Sequence, residues 1–335
     1  MIERMSPQEA KNRFLSNNES EFSKTTIQEY GYSLDRFIEW LNEQNITDMN
    51  EMTGRIISDF AEDRKKNVKP ATVKTDLDRV RRLMQFCEDI EAAPPGIADK
   101  INSPQLSNSD EIRKERIDEE HAEKILNYLE EYEYGKLRHI IFYLVWHTGI
   151  RSGTARALDV NDFARGPNGY ELHAIHRPHV GTPLKNQERG ERILSLNEKA
   201  TDIIQTWLEY HRPPVEDEYG RDPLIATAHG RMSKSAFQRN FYVITRPCWY
   251  SNECPHEVDY QDCEATSNHT ASKCPSSRSP HAGRRGAIQK FLNNDAKLED
   301  VSGRSNVSRE VLKKHYDTGD KRELNQRRRR SLDKF

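Results

Sequence analysis

Apolar residues in the first hundred positions recur at helical spacing. Ile27, Tyr30, Leu34, Phe37, Ile38 and Leu41 fall on one face of a helix, and Thr25 and Thr26 with Gln28 and Glu29 predict a capping box at its start. A second helix follows Thr53 in RIISDFAEDRKK. A third starts at Pro70 and carries Leu77, Val80, Leu83, Met84 and Cys87 on one side. These helices predict a small helical domain over residues 1–92. The stretch 93–111 is rich in Pro, Ser, Asn and Asp and has no apolar period, which predicts a linker. A larger domain then spans 112–335. Asp118 caps a helix running through Leu129, and KLRHIIFYLVWHTG is a buried helix stopped by Gly149. GYELHAIH and ERILSLN alternate as strands around a polar turn, and KATDIIQTWLEYH is helical again. The predicted fold is mainly α with a small antiparallel β-sheet.

Composition narrows the function classes only a little. The chain has 335 residues, enough for two ordinary domains, and its net charge of -2 gives no bulk signal for a nucleic-acid partner. Any such surface must be local. Arg64, Lys65, Lys66, Lys69, Lys74, Arg79 and Arg82, with Arg81 among them, have the density that neutralises phosphates. The alternative is a solvated face, because Asp59, Glu62, Asp63, Asp76 and Asp78 are interspersed. The longest apolar run, IIFYLVW, is too short to cross a membrane, and MIERMSPQEA lacks the apolar region of a signal peptide. A cytoplasmic protein without a membrane partner is expected.

Candidate chemistry lies in the second domain. Arg151 follows a glycine turn in HTGIRSGTARAL, where its planar fork can hold two phosphate oxygens. In SPHAGRRGAIQKFL, Ser279 and Pro280 begin a helix and set His281 and Arg284 one turn apart on one face. A cation and an imidazole beside free backbone N–H groups suit an anion. Arg285 lies about a hundred degrees round the helix, which fits a DNA-backbone contact or a salt bridge. Tyr316 closes the run NVSREVLKKHYD. A phenol attacks at neutral pH only where positive charges or a base assist it, and the arginines would supply the former.

Taken in order, Arg151 in TGxR, Lys185 in the turn between strands, His281-x-x-Arg284 and Tyr316 resemble the catalytic domain of the tyrosine recombinase, or phage integrase, family. The helical N-terminal domain resembles that family's core-binding SAM-like domain, and NVSREVLKKHYD is similar to integrase-like proteins of halophilic archaea. The resemblance implies site-specific cleavage and rejoining of duplex DNA through a 3′-phosphotyrosyl intermediate, with no cofactor for catalysis. Arg151 and Arg284 would clamp the scissile phosphate, and His281 would assist the tyrosine or hold the phosphate. Lys185 would protonate the leaving oxygen, and Tyr316 would attack. Double-stranded DNA and a homotetramer on paired sites are the implied partners. Two positions depart from the pattern. Arg304 stands where the family has a second His or Trp, and Thr154 stands where an acidic residue is common.

Residues 246–278 form a Cys-rich insertion outside that pattern. Cys248, Cys254, Cys263 and Cys274 are the right number for a closed tetrahedral structural zinc site, with His256 able to replace one thiolate. Unligated or disulfide-bonded cysteines are the alternative, since the spacing lacks CxxC knuckles. A non-catalytic DNA-binding regulator on the same scaffold is the rival function, and Arg304 speaks for it.

Overall fold

The computed structural model describes residues 4–107 and 115–315, with residues 325 and 329. The chain divides into two compact units, residues 1–113 and 114–335.

The first unit is built on α1 (Pro7–Asn17), α2 (Lys24–Glu43), α3 (Gly54–Asn67) and α4 (Pro70–Asp89). Phe14, Leu34, Phe37, Phe60, Leu77 and Leu83 meet in its core. Burying each such side chain contributes roughly 1.5–3 kcal/mol. The hydroxyl that caps α2 is that of Ser23, which accepts the Thr26 N–H at 3.1 Å. It precedes the threonines favoured from sequence, because the first available hydroxyl satisfies the orphan amide.

Among the helices sits one buried polar node. Asp76, 2 % exposed, accepts from Ser33 Oγ at 2.8 Å and from Arg64 Nε and Nη2 at 3.0 and 2.8 Å. A buried carboxylate is tolerated only when paired and hydrogen-bonded, so Arg64 is a strut between α3 and α4 rather than an available cation. Lys65 pairs with Glu62, Lys74 with Asp78 and Arg79 with Glu29. Lys66, Lys69 and Arg82 are exposed, and the Arg82 guanidinium lies over the Phe22 ring.

The stretch read as a linker begins inside this unit. Ala92, Ala93, Ile97, Ala98 and Ile101 join the core. The Glu88 carboxylate accepts the Gly96 and Ala98 amides at 3.0 and 2.6 Å, and Arg81 donates to the Ile101 carbonyl at 2.6 Å. Pro, Ser and Asp composition reflects the irregular path of this stretch. It did not show that acidic and basic side chains of α4 tie that chain down.

The second unit starts with α5 (Glu119–Tyr132), capped by Asp118, and the buried α6 (Leu137–Thr148). Gly149 ends α6 in the left-handed conformation at φ 64, with its N–H on the Val145 carbonyl. After the short α7 (Ser152–Ala157) come β1 (Phe163–Gly166), β2 (Gly169–Ala174) and β3 (Arg192–Ser195). They form an antiparallel sheet in that order, with Leu172 opposite Leu194. The first strand lacked an alternating pattern and went unread. Helix α8 (Glu198–Thr206) follows, then a two-stranded ribbon, β4 (Ala226–Thr227) and β5 (Gly230–Arg231). The unit continues through α9 (Lys234–Ile244), α10 (Pro247–Ser251) and α11 (Pro280–Asn293), and then α12 (Leu298–Ser305) and α13 (Arg309–His315). No helix among the described residues is long and apolar enough to cross a membrane.

Helix α11 packs closely against its neighbours because two of its positions lack a side chain. A Cβ at Gly286 would lie 2.1 Å from the Ile117 carbonyl oxygen and 2.7 Å from Trp146, and one at Gly283 would lie 2.4 Å from Phe241. Gly286→Ala is therefore expected to destabilise the full chain by about 1–3 kcal/mol in urea unfolding. Gly153→Ala is the control. Its added methyl meets nothing within 4 Å, and it should be neutral or slightly stabilising.

Candidate functional site

Arg284, in α11, is a buried cation of the second unit. The Ser279 hydroxyl accepts the Ala282 amide at 3.2 Å and Pro280 occupies the first turn, so α11 starts where the sequence predicts. One turn in, Arg284 is 2 % exposed. Its Nη1 donates to the Gly149 carbonyl at 2.7 Å and its Nη2 to the Ser305 carbonyl at 2.7 Å. A single guanidinium thus joins the turn ahead of Arg151 to the end of α12. Charged hydrogen bonds of this kind contribute roughly 1.5–3 kcal/mol each. His281 stands exposed at the start of the same helix, and Arg285 donates to the Glu115 carbonyl at 3.5 Å.

Arg151 is the residue preceding the first turn of α7 and is half-buried. Thr154, in that helix, is buried. Arg304 ties three elements together. Its Nη1 donates to the Ser195 carbonyl at 3.1 Å, its Nη2 donates to the His147 carbonyl at 3.2 Å, and its guanidinium lies over the Phe291 ring. Burial pulls its pKa down from the usual arginine value.

Lys185 is exposed in the long connection between β2 and β3. That connection is braced at its start by a buried ion network. Arg177 holds Asp162 with a two-pronged contact at 2.9 and 2.6 Å, and Arg221 and Arg231 both pair with Asp159 and Asp217. Past Lys185, the Asn186 amide donates to Asn306 Oδ1 at 3.0 Å, so the connection also touches the segment after α12. Tyr316 lies outside the described residues, directly after α13.

Sequence reasoning counts Arg192, which opens β3, only as one of three basic residues near the turn where Lys185 is preferred. Its Nε donates to the Arg304 carbonyl at 2.9 Å and its Nη1 to the Gly190 carbonyl at 2.7 Å. Burial, then the Arg151 and Arg304 guanidiniums, push its pKa down to about 10. The cue was its place in a basic turn that also holds Lys185 and Arg189. Nothing in the sequence singled it out from those two.

The expected zinc site does not fit. Cys248, Cys254, Cys263 and Cys274 are free and line the wall of a cavity of about 600 Å³. Among the described residues no group of three or more His, Cys, Asp or Glu is placed to hold a metal ion. Burial raises the Cys248 pKa, opposed by Arg246 and reinforced by the other three thiols nearby. The four cysteines line one cavity without forming a metal-holding group among the described residues, so the structure gives the zinc expectation no support.

Two histidines of α6 are unsuited to proton transfer. Burial pushes both His139 and His147 down to about 4, helped at His147 by Arg304 and Lys290, and at His139 by Lys199. Their folded pKa values lie below the unfolded value of 6.5, so the unfolded chain binds protons first as pH falls. Stability is expected to be flat above pH 6.5 and to drop between 6.5 and 4 by roughly 3 kcal/mol per imidazole. Thermal unfolding across that window measures it, and the double variant His139→Gln/His147→Gln should flatten the profile.

Comparison with known proteins gives the family context. Residues 13–89 match the family model of the phage integrase N-terminal SAM-like domain. Over nearly the whole chain the fold is similar to three kinds of solved structure. The Tn1549 transposon integrase, solved with a circular intermediate DNA, has a TM-score of 0.67 at 12% identity, covering 98% of this chain and 99% of that one. The XerH site-specific recombinase, bound to a palindromic difH substrate, gives 0.65 at 14% identity, covering 96% and 83%. A lambda integrase tetramer on a Holliday junction gives 0.64 at 11% identity, covering 95% and 80%.

Proposed function

Given a chain that has the tyrosine recombinase fold, with a phage integrase SAM-like domain over residues 13–89, we propose that it is a site-specific DNA recombinase. The observation that carries this reading is the buried Arg284 fork, bonded to the carbonyls of Gly149 and Ser305. It draws the Arg151 turn, the His281 helix and the segment leading to Tyr316 into one neighbourhood. Convergent cations on a polar face are what a phosphodiester requires.

In the proposed reaction the Tyr316 phenol oxygen attacks the scissile phosphorus. An O–P bond forms to the tyrosine while the bond from phosphorus to the 5′ oxygen breaks. Lys185 gives that oxygen its proton, and His281 assists removal of the phenol proton or holds the phosphate. Arg151 and Arg284 meet the charge on the non-bridging oxygens. Attack by a 5′-hydroxyl of a second strand reverses these bonds and restores the tyrosine. Bond energy is kept in the intermediate, so no nucleotide is consumed. The protein's task is positioning and charge stabilisation. The exposed Lys66, Lys69 and Arg82 would meet DNA phosphates through the first unit, and four copies would act on two duplexes.

A second reading keeps DNA binding without chemistry. Arg304 favours it, because two of its guanidinium nitrogens are engaged by the Ser195 and His147 carbonyls and an arginine cannot serve as a base at neutral pH. Nicked suicide substrates bearing sites from the chain's own genetic neighbourhood separate the two. The recombinase leaves a protein–DNA adduct on a denaturing gel, and Tyr316→Phe abolishes it while retaining DNA binding. Specific binding without an adduct by the unaltered protein selects the regulator.

A further inference from the structure

Arg192 is a half-buried cation whose interactions are incomplete. Its Nε and Nη1 are fixed by the carbonyls of Arg304 and Gly190, which leaves the side chain no rotational freedom. Its Nη2 is buried and has no hydrogen-bond partner among the described residues. Leaving a buried donor unsatisfied is costly, and more so when the group is charged. No carboxylate forms an ion pair with it among the described residues. Its strongest charged neighbours are instead Arg151 and Arg304, both cations, which with burial bring its pKa to about 10. A donor held near two like charges, with no carboxylate of its own among the described residues, is the arrangement of an anion site.

We propose that Arg192 binds a phosphate oxygen of the substrate through Nη2, beside Arg151, and so completes the cationic cradle of this site. The proposal rests on the recombinase reading for the identity of the anion, a DNA phosphodiester, but not for the existence of the anion site. A guanidinium held at Nε and Nη1 presents Nη2 in one direction only. It therefore stabilises charge that develops on one non-bridging oxygen and needs no reorganisation when that charge appears.

The test compares unaltered protein with Arg192→Gln on two suicide substrates, one with a normal phosphodiester at the cleavage position and one with a methylphosphonate there. The methylphosphonate lacks the anionic non-bridging oxygen. On the phosphodiester the variant should form adduct roughly 100-fold more slowly. On the methylphosphonate the penalty should shrink below about 10-fold. Equal penalties on the two substrates would mean that Arg192 merely braces the turn, and would overturn the proposal. If Arg192→Gln does not fold, Arg192→Lys is scored in the same way, since lysine keeps the charge and loses the fork.

A binding arm separates this inference from the recombinase reading. Inorganic phosphate should raise the thermal midpoint of the unaltered full chain and leave that of Arg192→Gln unmoved. Should the unaltered protein yield no adduct while this difference holds, the recombinase reading fails and the anion site stands. Equal responses of both proteins to phosphate, including no response in either, would refute the site itself.

Discussion

The structure of the site depends on one buried guanidinium. Arg284 binds the carbonyl that ends α6 and the carbonyl that ends α12, segments more than a hundred residues apart in sequence. Both carbonyls are helix-terminal acceptors that lack an intrahelical partner, and the positive fork suits the negative ends of those helices. Arg151 follows the first carbonyl by two residues, and Arg304 immediately precedes the residue bearing the second. The interaction that satisfies buried polar groups therefore also gathers the positive charge.

That gathering has an electrostatic cost that the fold absorbs by fixing backbone around each cation. Arg304 is held by the Ser195 and His147 carbonyls, and Arg192 by those of Arg304 and Gly190. Carbonyl oxygens accept from a guanidinium without neutralising it, whereas three buried carboxylates among the described residues serve other arginines. Asp159, Asp162 and Asp217 are committed to Arg177, Arg221 and Arg231 in the brace behind the β2–β3 connection. In that brace charge is cancelled by carboxylates, whereas Arg304 and Arg192 donate to carbonyls. The closely packed α11, with Gly283 and Gly286 against Phe241, Ile117 and Trp146, keeps the helix that carries Arg284 from shifting.

Local signals made much of this legible. The caps at Thr53, Asp118 and Ser279, the left-handed Gly149 and the spacing of His281 from Arg284 are short-range features, and the backbone follows them. What stayed hidden was set by distant partners. In sequence Arg64 reads as a phosphate contact, with a solvated face shared with Asp76 as the alternative, and only the packing of α3 on α4 makes the two a buried pair. Ala93 to Ile101 read as linker because the Glu88 carboxylate that holds it has no sequence signature. Arg192 was one of several basic residues in a polar turn, and its partner carbonyl lies 112 residues away. The four cysteines suggested a metal through their number, while their placement around a cavity is a property of the loop's path.

The central claim is that this convergence of cations serves a tyrosine attacking a DNA phosphodiester. Its most direct measurement is the chemistry of the ends left by cleavage. On a nicked substrate the account predicts a 3′ end blocked by protein and a 5′ end that polynucleotide kinase labels without prior phosphatase treatment, because the leaving group is a free 5′-hydroxyl. A 5′ end that accepts label only after phosphatase treatment, with no protein on the 3′ end, would contradict it.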